Sequence, residues 1–141
     1  GVTLILDVSP SLPPIKCRSQ QIQQIFINLL SNAHYALNEK YPGLHENKLL
    51  KIAARPLQRH GRQFIHVEFY DAGIGIAPEI LPKIFDPFFT TKMRAEGTGL
   101  GLSISYGIIK EHQGEIFVES ELGDHTTFVI ELPAEYGSDA E

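Results

Sequence analysis

Gln63-Phe64-Ile65-His66-Val67-Glu68-Phe69-Tyr70-Asp71-Ala72-Gly73-Ile74-Gly75-Ile76 is the stretch on which the fold turns. Ile65, Val67 and Phe69 alternate with His66 and Glu68, the period-two pattern of a strand with one buried and one wet face. Asp71 keeps the parity of the apolar face, so it is expected at the strand end, pointing inward. A carboxylate there is costly unless something hydrogen-bonds it. The strand then gives way to Gly-Ile-Gly, where glycine lets the backbone approach a flat ligand closely or take a positive φ.

Upstream, residues 48–57 read as a partner strand, joined to residues 63–70 by a short polar turn around Gly61. Residues 19–38 are the clearest helix: Ile22, Ile25, Phe26, Leu29, Leu30, Ala33 and Leu37 follow i, i+3, i+4, i+7 spacing. Ser19 is the expected N-cap, and Tyr41-Pro42-Gly43 ends the pattern. Residues 3–8 read as a strand closed by Pro10, Pro13 and Pro14. Downstream, residues 78–84 predict a short helix opened by Pro78. Residues 86–98 form a loop long enough for a lid or binding loop. Residues 100–112 predict a second amphipathic helix with Leu102, Tyr106 and Ile109 on one stripe, and strands at 115–119 and 126–132 close the domain. Strands and helices mixed without strict βαβ alternation predict an α+β, two-layer sandwich, helices packed on one face of a mixed sheet. Residues 1–135 are expected to form one domain, with a polar tail over 136–141.

Composition narrows the function. The 141 residues carry 43% hydrophobic and 21% charged side chains, a globular balance. Acidic residues outnumber basic ones 17 to 12, for a net charge of -5. That argues against nucleic-acid binding by phosphate neutralisation. No apolar run suits a membrane span or signal peptide, so a cytoplasmic domain without direct membrane contact is expected, whatever anchors its parent. The lone Cys17 removes an internal disulfide and is expected as a small, partly buried hydrophobe.

Three elements converge on a nucleotide. Asn28 and Asn32, one helical turn apart, lie at the edge of the first helix's apolar arc of roughly 140°, near Gln21 and Tyr35. Their carboxamides can offer oxygens to a hard cation and NH₂ groups to phosphate. Asp71, when ionised, only accepts hydrogen bonds, which favours adenine's exocyclic amine over guanine's carbonyl oxygen. Gly97-Thr98-Gly99-Leu100-Gly101-Leu102-Ser103 opens directly into a helix, whose free NH groups and dipole suit an anion. Its spacing is neither the dinucleotide fingerprint nor a P-loop. Each element also has a plainer reading: polar flanks of a core, a tight turn with a local Asp cap, and a flexible hinge.

Together and in this order, these elements resemble the catalytic and ATP-binding domain of sensor histidine kinases. That family belongs to the wider group of DNA gyrase, the heat-shock chaperone ATPase, MutL and bacterial histidine kinases, whose ATP-binding fold is the Bergerat type. The resemblance runs from about residue 4 to residue 133. Residues 24–33 resemble the asparagine box, and Asp71 to Ile76 the first glycine box. Ile84-Phe85-Asp86-Pro87-Phe88-Phe89-Thr90-Thr91-Lys92 resembles the phenylalanine box, and Gly97 to Ser103 the second glycine box. Residues 123–128 resemble the closing Gly-x-Gly-Thr-x-Phe motif. Phe-Phe-Thr-Thr-Lys is most like the nitrogen-regulatory type.

The resemblance implies ATP and Mg²⁺ as cofactors, with Asn32 as metal ligand and Asn28 beside it on metal or phosphates. It implies Asp71 on the adenine amine, with Gly73, Gly75 and Ile76 shaping the pocket. Gly97, Thr98, Gly99, Leu100, Gly101 and Leu102 would form the phosphate cradle, with residues 86–98 as the ATP lid. Thr126 would support Asp71; it shares parity with Phe128, Ile130 and Leu132, so it should face the buried side. Tyr35 stands where many relatives carry a lysine, so Lys92 or Arg94 becomes the candidate phosphate cation, and His125 replaces a glycine of the closing motif. The implied reaction is γ-phosphoryl transfer to a histidine on a separate helical dimerisation domain, upstream of a response regulator receiver domain. No phosphoacceptor histidine is recognisable here. The alternatives are an ATPase switch, for which Asn28 stands where a carboxylate base belongs, a serine kinase of the same superfamily, and a nucleotide-binding module without catalysis. Phe85 is expected in the core, and Phe88 or Phe89 as a docking surface for the helical domain.

Overall fold

A computed structural model describes residues 2–43, 45–86 and 101–134. Five strands form one mixed sheet: β1 (Thr3–Val8), β2 (Leu49–Arg59), β3 (Arg62–Asp71), β4 (Glu115–Glu121) and β5 (His125–Pro133), in the order β1-β2-β3-β5-β4. β1 runs parallel to β2, and the other pairs are antiparallel. Helices α1 (Ser19–Lys40) and α2 (Gly101–Glu111) pack on one face. The expected two-layer α+β sandwich is the observed fold.

The register explains the core. Ile65, Val67, Phe69 and Asp71 of β3 oppose Leu132, Ile130, Phe128 and Thr126 of β5, so the alternating residues of both central strands point at the helices. Ile25 and Leu29 of α1 and Leu102, Ile108 and Ile109 of α2 close over them. Phe26 meets Phe69 edge-on, with centroids 5.3 Å apart. The β2–β3 turn places His60 and Gly61 at φ 54 and 78, the paired positive values of a tight hairpin.

The wet face of the sheet is less wet than its pattern predicts. His66 is buried there, with Nδ1 2.8 Å from Glu131 Oε2 and Nε2 2.8 Å from Glu68 Oε2. Arg59 Nη1 sits 2.7 Å from Glu131 Oε1, a charge contact without hydrogen-bond alignment.

Several local expectations change. The N-cap of α1 is Arg18, without a side-chain cap bond, and Ser19 is the first helical residue. Residues 78–84 hold a turn and one 3-10 turn, Leu81–Lys83, rather than an α-helix, because Pro82 has no N–H to donate back to Pro78. The buried stripe of α2 is Leu102, Ser105, Ile108 and Ile109, whereas Tyr106 is exposed. Tyr106 instead lies against Phe85, which also touches Phe128 from the core margin. Cys17 is exposed rather than partly buried.

Candidate nucleotide site

β3 ends at Asp71 deep under α1, as its parity requires. The side chain is 4% exposed, and Oδ1 accepts the Gly73 N–H at 3.0 Å. Burial pushes its carboxyl up to about 7, against the Gly73 hydrogen bond and the charge of His125, which both pull it down. A carboxylate so poorly solvated, with Oδ2 still able to accept, is a strong acceptor for a ligand N–H.

Two glycines make the adjacent turn possible for different reasons. At Gly73 a Cβ would lie 2.7 Å from the Ala36 backbone carbon, so glycine is needed for close approach to α1, where Ile74 N–H donates to Ala36 O at 3.2 Å. Gly75 has φ +77, and a Cβ there would strike the Glu121 carbonyl. The turn is then pinned from β4. Ser120 Oγ accepts the Ile76 N–H at 2.8 Å and donates to His125 O at 2.7 Å. With its one proton spent, Ser120 accepts from Thr126 Oγ1 at 2.8 Å.

These elements enclose a cavity of about 140 Å³, bounded by Asn32, Tyr35, Asp71, Ile76, Leu102 and Thr126 among others. Its walls are otherwise mostly apolar: Ile74, Ile80, Ile84, Leu122 and Phe128 also line it. One buried acid in a mostly apolar cavity suits a heteroaromatic ring that carries an exocyclic amine.

Asn28 lies one turn before Asn32, where α1 meets α2. Its Nδ2 donates to Gly101 O and to Ser105 Oγ, both at 3.0 Å, and its Oδ1 accepts from Gln24 Nε2 at 3.0 Å. Both amide hydrogens are therefore held by α2, and the oxygen is the atom left to face a ligand. A carboxamide oxygen is a donor suited to Mg²⁺, so the residues present fit the cation expected with a nucleotide triphosphate.

Of the residues singled out in the sequence, Asn32, Tyr35, Asp71, Gly75, Ile76, Leu102 and Thr126 share one cavity, with Gly73 behind it and Asn28 and Gly101 at its α2 side. Thr126 is the register partner of Asp71 and is buried, and its hydroxyl bonds to Ser120. Lys92, Arg94, Gly97, Thr98, Gly99 and Leu100 lie outside the described residues, as do Phe88 and Phe89. Sequence reasoning missed Ser105 and Ser120. Ser120 shares parity with Ile116 and Val118, and Ser105 lies three residues after Leu102, so each is a polar residue at an inward position.

This geometry has known counterparts. The family described as "Histidine kinase-, DNA gyrase B-, and HSP90-like ATPase" matches residues 17–136. The chain belongs to that family. Sporulation kinase E of Bacillus subtilis (strain 168) is 43% identical over 133 residues, which is 94% of this chain and 16% of that protein. The sensory histidine kinase/phosphatase NtrB of Vibrio alginolyticus is 41% identical over 139 residues, 94% of this chain and 37% of that protein. The nucleotide-free catalytic domain of histidine kinase ThkA superposes with a TM-score of 0.75 at 32% identity, over 94% of this chain and 80% of that one. The ATPase domain is thus the catalytic, nucleotide-using part of sensor histidine kinases, and it spans well under half the length of the two curated relatives. No described helix is long and apolar enough to cross a membrane.

Proposed function

We propose that this domain binds ATP with Mg²⁺ and positions the γ-phosphoryl group for transfer to a histidine on a separate helical dimerisation domain, from which a response regulator is then phosphorylated. The single observation that carries the reading is Asp71, buried at the end of β3 in the wall of a cavity that Asn32 and Thr126 also line. Asp71 accepts the adenine amine; guanine offers a carbonyl oxygen there and is refused. Gly73 and Gly75 let the turn close on the ring, and Ile76 and Leu102 pack against it. Asn32 and Asn28 turn carboxamide oxygens to the cation, which when bound neutralises phosphate charge and orients the triphosphate. Gly97, Thr98, Gly99, Leu100 and Gly101 are assigned the phosphate cradle at the start of α2, and Lys92 the γ-phosphate.

Phosphoryl transfer asks little covalent work of the protein; positioning and fixed dipoles do most of it. Asn28 stands where a carboxylate base would activate water, so slow hydrolysis by the chain alone fits a kinase better than an ATPase switch. Calorimetry with ATP and Mg²⁺ tests the binding. Saturable heat for ATP and little for GTP, the preference lost in Asp71→Asn, is the expected result. No heat from folded protein would remove the reading. Transfer is tested by adding a separately produced helical domain of a related kinase with labelled ATP and locating acid-labile label on its histidine.

A further inference from the structure

A second concavity lies at the other end of the sheet. Asp71 ends β3 and Arg62 begins it, so the two sites are about 30 Å apart along that strand. The concavity measures about 680 Å³ and is lined by Lys16, Cys17, Arg18, Arg62, Glu111 and His112 among others. In a chain of net charge -5, three cations among the described residues here face one carboxylate.

None of those cations forms an ion pair with a described residue. Arg62 lies over the Phe64 ring at 5.9 Å, and its Nε is buried with no hydrogen-bond partner among the described residues. Arg62 is part-exposed as a residue, so its terminal guanidinium nitrogens, not the enclosed Nε, are what it offers to an anion. The start of α1 adds to that offer: its N-cap is Arg18, no side chain caps it, and its first turn holds no acid. A 22-residue helix so ended leaves first-turn N–H groups and the positive dipole end for an outside anion. His112 fixes this geometry. Its Nδ1 meets Ile108 O at 2.8 Å, so Nδ1 carries the proton, and Nε2 accepts the Arg18 N–H at 3.1 Å. His112 is therefore neutral and serves as a strut between the end of α2 and the start of α1.

We infer that this basic concavity is an anion site, distinct from the nucleotide pocket, for a small molecule carrying a phosphate or diphosphate group. Two guanidinium forks and an ammonium match phosphate oxygens, and a compact concavity of this size fits a small ligand better than an extended chain.

Titration of ¹⁵N-labelled protein with inorganic pyrophosphate at low ionic strength, without metal, tests it. Saturable amide shifts are expected at Ser19, Gln20 and Gln113, with Cys17 protected from iodoacetamide. Arg18→Asp and Arg62→Gln should each weaken binding at least tenfold. Arg18→Asp is informative because an Asp N-cap strengthens the helix, so its melting temperature should match or exceed that of the parent chain while the anion is lost. Shifts confined to Asn32, Gly101 and their neighbours would overturn the inference, as would affinity indifferent to both substitutions. Binding seen only after removal of residues 135–141 would also overturn it, by assigning the concavity to the acidic side chains that follow Pro133.

Discussion

Asn28 Nδ2 lies 3.0 Å from Ser105 Oγ, a bond between α1 and α2 across 77 positions of sequence. With the companion bond to Gly101 O, it orients a proposed cation ligand and fixes the start of the helix that follows the glycine-rich loop. Ser105 is fully buried and Asn28 half-buried, so the bond is shielded from water on its α2 side.

Ser105→Ala is expected to cost about 1–2 kcal/mol of stability by leaving an amide hydrogen unpaired, and to weaken Mg-ATP binding severalfold. Asn28→Asp should do more damage, because it points carboxylate oxygens at the Gly101 carbonyl. Urea unfolding and calorimetry separate the two effects. If Ser105→Ala bound Mg-ATP as tightly as the parent chain, the positioning role of this bond would be lost.

Asp71 makes stability depend on pH. Its folded value of about 7 lies above the ordinary 3.8, so the folded chain holds a proton that the unfolded chain has released. Stability is therefore greatest at the acid end of this window and falls as pH rises from about 4 to 7, by at most about 4 kcal/mol at roughly 1.4 kcal/mol per unit. Asp71→Asn removes that dependence. It is expected to be more stable than the parent chain at pH 8, to differ little at pH 4, and to lose preference for ATP over GTP. Denaturant midpoints at the two pH values check the sign.

Glycine substitutions distinguish strain from collision. Gly123 has φ +84 with open space around its would-be Cβ, so Gly123→Ala should cost about 1 kcal/mol from conformation alone. Gly75→Ala adds a backbone collision to the same φ and is expected to cost at least twice that, with loss of nucleotide binding. Equal melting temperatures for the two variants would contradict the packing of the Gly75 turn on β4.

On the opposite face, His66 bridges two carboxylates, one of them the buried Glu131. His66→Ala leaves Glu131 to Arg59 alone and is expected to destabilise the domain by about 2–3 kcal/mol. His66→Ala combined with Glu131→Leu should recover much of the loss, since the pair is then replaced by apolar packing. Chemical denaturation of the single and double variants measures the coupling.

The sequence by itself determined the strand leading to Asp71, the long amphipathic helix with its two carboxamides, and the glycine turns, because each is written in spacing over one to five turns of chain. The order and spacing of its boxes also carried the resemblance to the family that matches residues 17–136. Tertiary structure alone decided the rest. Ser19 was the better cap by type, yet the chain places Arg18 there because His112, 94 residues away, takes its N–H. Tyr106 was eligible for the α2 stripe, yet Ser105 fills it because Asn28 supplies a polar partner where α1 meets α2. Local periodicity reports which face of an element is turned inward; which buried polar group finds a partner depends on contacts that close only when distant segments meet.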